Sequence, residues 1–250
     1  MPLISVVTSA FNCEKTIEDT FKSVIVQTIT DFEWIIVNDC STDGTAKLID
    51  EFCRKDNRIK AIHCETNKGA ANARNVGIEA AKGRYIAFID ADDVWKPDKL
   101  QKQLNFMNEN DCAFTYTNYY LLFPNGTIRL YRPKKLKLNY KQLLKQNNIG
   151  CSTVMYDTEK IGKVFMPLDA PKREDHAAWL DILKTGVEAF KIDEGLAEYR
   201  VGAQSVSSNK FKMLKYQYKL FRDHEGFNPI KAFFCTLRLS FNKVFKKYIY

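Results

Sequence analysis

The stretch Arg84-Tyr-Ile-Ala-Phe-Ile-Asp90-Ala-Asp92-Asp93-Val-Trp95-Lys-Pro97 is an apolar run that ends in a cluster of carboxylates. Residues 84–89 hold no proline or glycine and do not alternate with polar residues, which predicts a short strand buried on both faces. Pro97 then suits the entry of a helix over residues 98–110, where Leu100, Leu104 and Met107 recur at helical spacing. A core strand ending in this way projects Asp90, Asp92 and Asp93 into a strand-to-helix crevice, the place where open α/β sheets bind ligands. Ionised aspartates held so close repel one another. A hard divalent cation relieves that repulsion; carboxylate oxygens suit Mg²⁺ or Mn²⁺, ions that bridge protein to a substrate diphosphate. Aspartates are also turn formers and N-caps, so the triplet alone leaves a structural reading open.

Upstream, the same logic repeats. Residues 3–8 and 33–38 read as strands, each followed by a turn and an amphipathic helix. Ile17, Phe21, Val24 and Ile25 share one helix face, and Leu48, Ile49 and Phe52 share another. Residues 59–64 form a third strand. Asn67-Lys-Gly69 leads into a small-residue helix over 70–82, with Gly83 as its C-terminal stop. Strands alternating with helices over the first hundred or so residues mean a parallel sheet covered on both faces. There is no Gly-x-Gly-x-x-Gly and no P-loop motif, which weighs against a dinucleotide dehydrogenase and a P-loop NTPase.

Downstream the regularity weakens. Residues 112–119 are strand-like, and Pro124-Asn-Gly126 predicts a hairpin. Residues 129–145 carry seven Lys/Arg and no acid. Residues 152–156 read as a strand, Pro171-Lys-Arg-Glu174-Asp175-His176 opens a helix bearing Trp179, Leu180, Ile182 and Leu183, and residues 187–192 and 196–201 read as two short strands.

The composition, 45% hydrophobic and 27% charged over 250 residues, is that of a globular protein, with no apolar run long enough for a transmembrane helix. The start lacks the basic segment and cleavage site of a signal peptide. Seven scattered cysteines without Cys-x-x-Cys spacing predict reduced thiols in a cytosolic compartment, and Asn125-Gly-Thr127 reads as a turn. The net charge of +8 is local. Residues 210–250 hold ten Lys/Arg and two Asp/Glu, so the remainder is neutral overall. Such a segment seeks an anionic partner.

Three phrases, Ile4-Ser-Val-Val-Thr-Ser-Ala-Phe-Asn12, Val37-Asn-Asp-Cys-Ser-Thr-Asp-Gly-Thr45 and Asn67-Lys-Gly-Ala-Ala-Asn-Ala-Arg74-Asn-Val-Gly77, run on in order to Asp90-Ala-Asp-Asp93. Together they resemble the family 2 glycosyltransferases of the GT-A fold over residues 3–110, more weakly through Glu174-Asp175 to Tyr199-Arg200. The resemblance implies a mostly parallel, Rossmann-like central sheet and a helical C-terminal extension. It also implies an inverting transfer from a nucleotide-diphosphate sugar with Mn²⁺ or Mg²⁺ as cofactor. On this basis Thr8, Ala10 and Asn12 line the nucleotide, Asp39 contacts the base, and Arg74 the nucleotide. Asp90 and Asp92 hold the ribose and diphosphate region, with Asp92 and Asp93 as metal ligands. Asp175 is the general base, kept ionised by its helix N-terminus. Asn38 departs from the family's usual Asp, but an amide still offers a donor and an acceptor.

His176 reads as a capping or surface residue, Lys172 and Arg173 as loop charges or phosphate partners, and Trp95 and Trp179 as core or sugar-stacking residues. The family's processive members carry Gln-x-x-Arg-Trp and transmembrane helices. Gln204-Ser-Val-Ser is as near as this chain comes, which implies addition of a single sugar. The chain looks most like bacterial enzymes that extend lipid-linked oligosaccharides for O-antigen, capsule or teichuronic acid, with UDP-glucose or UDP-galactose as donor. The expected domains are a catalytic unit over 1–208, divided into a nucleotide-sugar half (1–110) and an acceptor half (111–208), and a basic aromatic extension over 209–250. The extension would rest on the inner face of the cytoplasmic membrane or pack on the catalytic unit, and no nucleic acid is expected. Two alternatives stay open: a sugar nucleotidyltransferase, which would release pyrophosphate, and an inactive sugar-nucleotide-binding paralogue.

Overall fold

The structure is a computed structural model and describes residues 1–201 and 210–247. The first half alternates as its periodicity requires: β1 (Ile4–Ala10), α1 (Ile17–Ile25), β2 (Phe32–Asn38), α2 (Thr45–Lys55), β3 (Ile59–His63), α3 (Ala70–Ala80) and β4 (Tyr85–Phe88). The four strands are parallel in the order β3-β2-β1-β4. Successive side chains of a strand point to opposite faces, and here both faces are dry. Ile86 and Phe88 join Val7, Ile35 and Val37 beneath α3, while Tyr85, Ala87 and Ile89 join Val6, Trp34 and Ile36 beneath α1 and α2. This is why residues 84–89 show no alternation.

The chain next forms β5 (Val94–Trp95), α4 (Lys99–Glu109), the β6 (Phe114–Leu122) and β7 (Ile128–Tyr131) hairpin, β8 (Lys137–Leu138) and α5 (Tyr140–Leu143). A 3₁₀ turn (Cys151–Thr153), β9 (Met155–Asp157), α6 (Thr158–Ile161), α7 (Glu174–Lys184) and β10 (Ala189–Arg200) follow. The sheet continues β4-β9-β6-β10-β5. β9 is antiparallel to β4 and β6, β6 is parallel to β10, and β5 is antiparallel to β10.

Four local expectations are corrected. The aspartates do not run directly into a helix: Val94 and Trp95 first pair with Glu198 and Ala197, and Asp98 caps α4 with Pro97 outside it. Gly83 does not end α3, which stops at Ala80; a Cβ at Gly83 would lie 2.5 Å from the Ser5 backbone nitrogen, so the glycine permits close approach to β1. Residues 152–156 split into the 3₁₀ turn and β9. The two short strands expected over 187–201 are one strand, β10, irregular around Gly195, where a Cβ would meet the Tyr120 ring at 2.5 Å.

Beyond the expected division at 208, which lies outside the described residues, come α8 (Lys210–Lys219), a π-helical turn (Leu220–His224) and α9 (Pro229–Lys247). Leu220, Phe221, Ala232 and Leu239 belong to the same apolar cluster as Trp179, Ile182 and Leu183 of α7. Ion pairs reinforce that seam: Lys184 lies 2.9 Å from Glu225, and His224 lies 3.0 Å from Asp169. Helices α1, α2 and α4 thus cover one face of the sheet, while α3, α7 and the C-terminal helices cover the other.

Candidate active site

The loops after β1 and β2 are laced together. Asn12 and Cys40 adopt left-handed backbone with φ of 48° and 59°. Asn12 Oδ1 accepts from Thr42 N at 2.8 Å, and Asn12 N donates to Ser41 Oγ at 3.0 Å. Ala10 is buried, and its carbonyl accepts from Asp39 N at 2.8 Å. Asp39 is buried and accepts from Lys68 N at 2.9 Å and Gly69 N at 2.7 Å, which fixes the turn into α3. Beside it opens a cavity of about 240 Å³ lined by Asp39, Cys64, Glu65, Thr66, Lys68 and Asn72. Thr8 is fully buried, and its hydroxyl accepts from Trp34 Nε1 at 2.9 Å, so its side chain lies in the core and not in the cleft. Asn38 uses both halves of its amide: Oδ1 accepts from Ser41 N at 3.1 Å, and Nδ2 lies 3.1 Å from His63 Nδ1.

The carboxylates gather at the ends of β4 and α7. Arg74, buried on α3, spans the two, with Nη2 2.6 Å from Asp90 and Nη1 3.2 Å from Glu174. Glu174 Oε2 is buried without a hydrogen-bond partner. The structure parts the two expected metal ligands. Asp93 is only 1% exposed and points inward, where Oδ2 accepts from Ser152 Oγ at 2.5 Å and Oδ1 from Arg200 N at 3.4 Å. Burial, with Asp90 and Asp92 nearby, holds its carboxyl well above the usual aspartate range. Asp92 is exposed, and its carboxyl is pushed up to about 6 by the low-dielectric crevice wall and by Asp90. Two acids that resist ionising together, one of them open to solvent, fit a hard cation. Of the two expected metal ligands, Asp93 thus turns its oxygens towards Ser152 and the Arg200 backbone, while Asp92 presents its carboxylate to solvent.

Among the described residues, the His/acid group whose ligand atoms lie within 4.8 Å of one another is elsewhere: Asp181, His224 and Glu225. There Lys184 lies 3.0 Å from Asp181 and 2.9 Å from Glu225, so an ammonium already serves as the cation.

Asp175 sits half-buried in the first turn of α7, with Oδ1 accepting from His176 N at 2.6 Å. Its carboxyl is pushed up to about 6, first by burial and then by Glu174, against the opposing pull of Arg74 and Arg173. Burial and the neighbouring acid raise it in spite of its place at a helix N-terminus. It remains mostly ionised at pH 7, as a general base must. Burial first, and nearby acids after it, hold the Tyr119 hydroxyl and the Cys151 thiol well above their usual ranges; Asp93 and Asp175 act on Tyr119, and Asp90 and Asp175 on Cys151.

Other expectations resolve as packing. His176 is fully buried, with Nε2 3.4 Å from Leu143 O and Nδ1 3.4 Å from Gln217 Nε2, and is neither cap nor surface. Trp95 donates to Ser152 O at 2.7 Å, and Trp179 is buried against Phe88 and Phe114, so both tryptophans are core residues and not sugar platforms. Ser152 carries no signal in the sequence, yet it ties Asp93 to the backbone nitrogen of Asp90, 3.0 Å from its Oγ.

Comparison with known proteins gives one answer at every level. Glycosyl transferase family 2 matches residues 5–160. TuaG of Bacillus subtilis (strain 168), named for teichuronic acid biosynthesis, is 44% identical over 249 residues, 98% of each chain. WfaP of Escherichia coli, named as a UDP-Glc:alpha-D-GlcNAc-diphosphoundecaprenol beta-1,3-glucosyltransferase, is 38% identical over 247 residues, 98% of this chain and 96% of its own. Two solved structures share the fold. Staphylococcus aureus TarS 1–349 in complex with UDP-GlcNAc superposes with a TM-score of 0.70 at 19% identity, over 93% of this chain and 69% of that one. The Pyrobaculum calidifontis mannosyltransferase PcManGT, in complex with GDP-Man and Mn²⁺, superposes with a TM-score of 0.71 at 16% identity, over 95% of this chain and 69% of that one. The chain belongs to glycosyl transferase family 2 and is a glycosyltransferase of the GT-A fold.

Proposed function

We propose that the chain transfers a single hexose, with inversion, from a UDP-sugar to a lipid-diphosphate-linked saccharide in surface-polysaccharide synthesis. The carrying observation is the placement of Asp175. A half-buried carboxylate with its pKa near 6 stands at the start of α7, joined through Glu174 and Arg74 to Asp90 at the end of β4. The name of WfaP supports UDP-glucose as donor and a diphosphoundecaprenol-linked acceptor, and that of TuaG supports a surface-polysaccharide product; UDP-galactose is the alternative donor.

The nucleotide base lies in the cavity beside Asp39, and Asn12, held by Thr42, lines the nucleotide. Asp92, in the cluster with Asp90 and Asp93, would hold Mg²⁺ or Mn²⁺, which would supply positive charge to the departing diphosphate. Asp93 sets the position of that turn through Ser152. Asp175 accepts the proton of the acceptor hydroxyl as it attacks the anomeric carbon from the face opposite the leaving diphosphate. Back-side attack inverts the configuration at that carbon.

A lipid-linked acceptor places the enzyme at the cytoplasmic face of a membrane, in peripheral contact through residues 210–250. The test incubates the purified chain with UDP-glucose, Mn²⁺ and a lipid-diphosphate N-acetylglucosamine, with the product linkage read by NMR. A β-linked product from the α-linked donor supports the proposal. An α-linked product rejects inversion, and pyrophosphate release identifies the nucleotidyltransferase alternative.

A further inference from the structure

We infer that the outer face of α9 rests on an anionic lipid bilayer, with Ile230, Phe233 and Phe234 in the acyl boundary and Lys231 and Arg238 among the headgroups. This deepens the proposed function and rests on it for purpose, since a lipid-linked acceptor has to be met at a bilayer.

α9 is apolar along two stripes. Ala232, Thr236 and Leu239, four and three residues apart, face the protein and are buried. Ile230, Phe233 and Phe234 form the other stripe at i, i+3 and i+4 and are 71%, 53% and 63% exposed. A stable helix needs only the first stripe to dock; the second leaves two phenylalanine rings, 6.0 Å apart, in water. In the sequence the same period continues through Leu237, Phe241 and Phe245. Clustered exposed aromatic residues mark an interaction surface, whereas isolated apolar residues do not.

Charge chooses the occupant. Lys212, Lys215, Lys219, Arg222, Lys231 and Arg238 are exposed in the described part of the extension, against exposed Asp223. The whole segment 210–250 carries the chain's net +8. A second copy docking face to face would bring that positive charge against itself. An anionic bilayer offers both an apolar layer for the rings and negative headgroups for the cations.

The experiment is co-sedimentation of the full chain, without donor or acceptor, with vesicles of phosphatidylcholine alone or with added phosphatidylglycerol. The wild type binds the anionic vesicles and is released by salt. Ile230→Ser/Phe233→Ser/Phe234→Ser lowers binding at least tenfold with an unchanged melting temperature, since all three positions are exposed. Lys231→Glu/Arg238→Glu lowers it severalfold. Ile128→Ser/Leu130→Ser, at the exposed edge of β7, leaves it unchanged. Wild type that ignores anionic vesicles, or a triple variant that still binds them, overturns the inference. So does loss of binding confined to the β7 variant, or a triple variant that only dissolves a dimer. Vesicle binding without any sugar transfer keeps this inference and defeats the proposed function; transfer to the lipid-diphosphate acceptor in detergent, without vesicle binding, does the reverse.

Discussion

Arg74 holds two carboxylates from distant parts of the chain, Asp90 and Glu174, and its charge reaches Asp175. On the proposed mechanism, that arrangement governs the pH dependence of transfer. As the proposed base, Asp175 has to be ionised, so kcat/KM is expected to fall as pH drops through about 6, with a one-proton slope. Arg74→Met removes a positive charge that stabilises the ionised form, so the acid limb moves to higher pH; a limb that stays in place separates Arg74 from the base. Asp92→Asn removes the one exposed carboxylate of the cluster and abolishes Mn²⁺-dependent binding of UDP, measured by titration calorimetry with and without EDTA. Affinity equal to wild type in both conditions rules Asp92 out as the ligand. These residues were legible as a group, because their types and order carry the family resemblance. Their division of labour was not. The inward turn of Asp93 depends on Ser152, 59 residues away, and the second partner of Arg74 is 100 residues away.

At the level of elements, β4 has the most to lose. Phe88 is fully buried and packs on Tyr156 and Trp179 at ring separations of 6.1 and 5.8 Å. Phe88→Ala is expected to cost about 3–5 kcal/mol, read from urea unfolding. A loss under about 1 kcal/mol contradicts a close-packed core at this point. The βα alternation could be read from sequence because each strand and helix there declares its buried side within a few residues. The second half could not be read so well. β5 is two residues long and exists only because β10 pairs with it. Gly83 resembles a helix stop locally, while its actual constraint is the backbone of β1 passing alongside. Contacts of this kind are set by tertiary packing, and local pattern does not carry them.

For the whole molecule, the C-terminal helices are part of the enzyme's core as well as its basic surface. Removal of residues 210–250 uncovers the α7 face that carries Ile182 and Leu183 and breaks the Lys184–Glu225 pair. The truncated protein is expected to aggregate or to melt well below the full chain in a thermal shift measurement. A soluble truncation with unchanged melting temperature shows instead that the extension is a separable anchor. Charge and aromatic content together announced the extension in the sequence. Whether it packs on the catalytic unit or meets a membrane stayed open there, because α9 is apolar on two sides and composition does not say which side meets the core.

The most direct test of the account is single-turnover transfer by Asp175→Asn, with donor affinity measured on the same samples. The account predicts donor affinity like that of wild type and a transfer rate lower by about 10²–10⁴-fold, the usual worth of a general base. A transfer rate near that of wild type, with the donor bound normally, contradicts it.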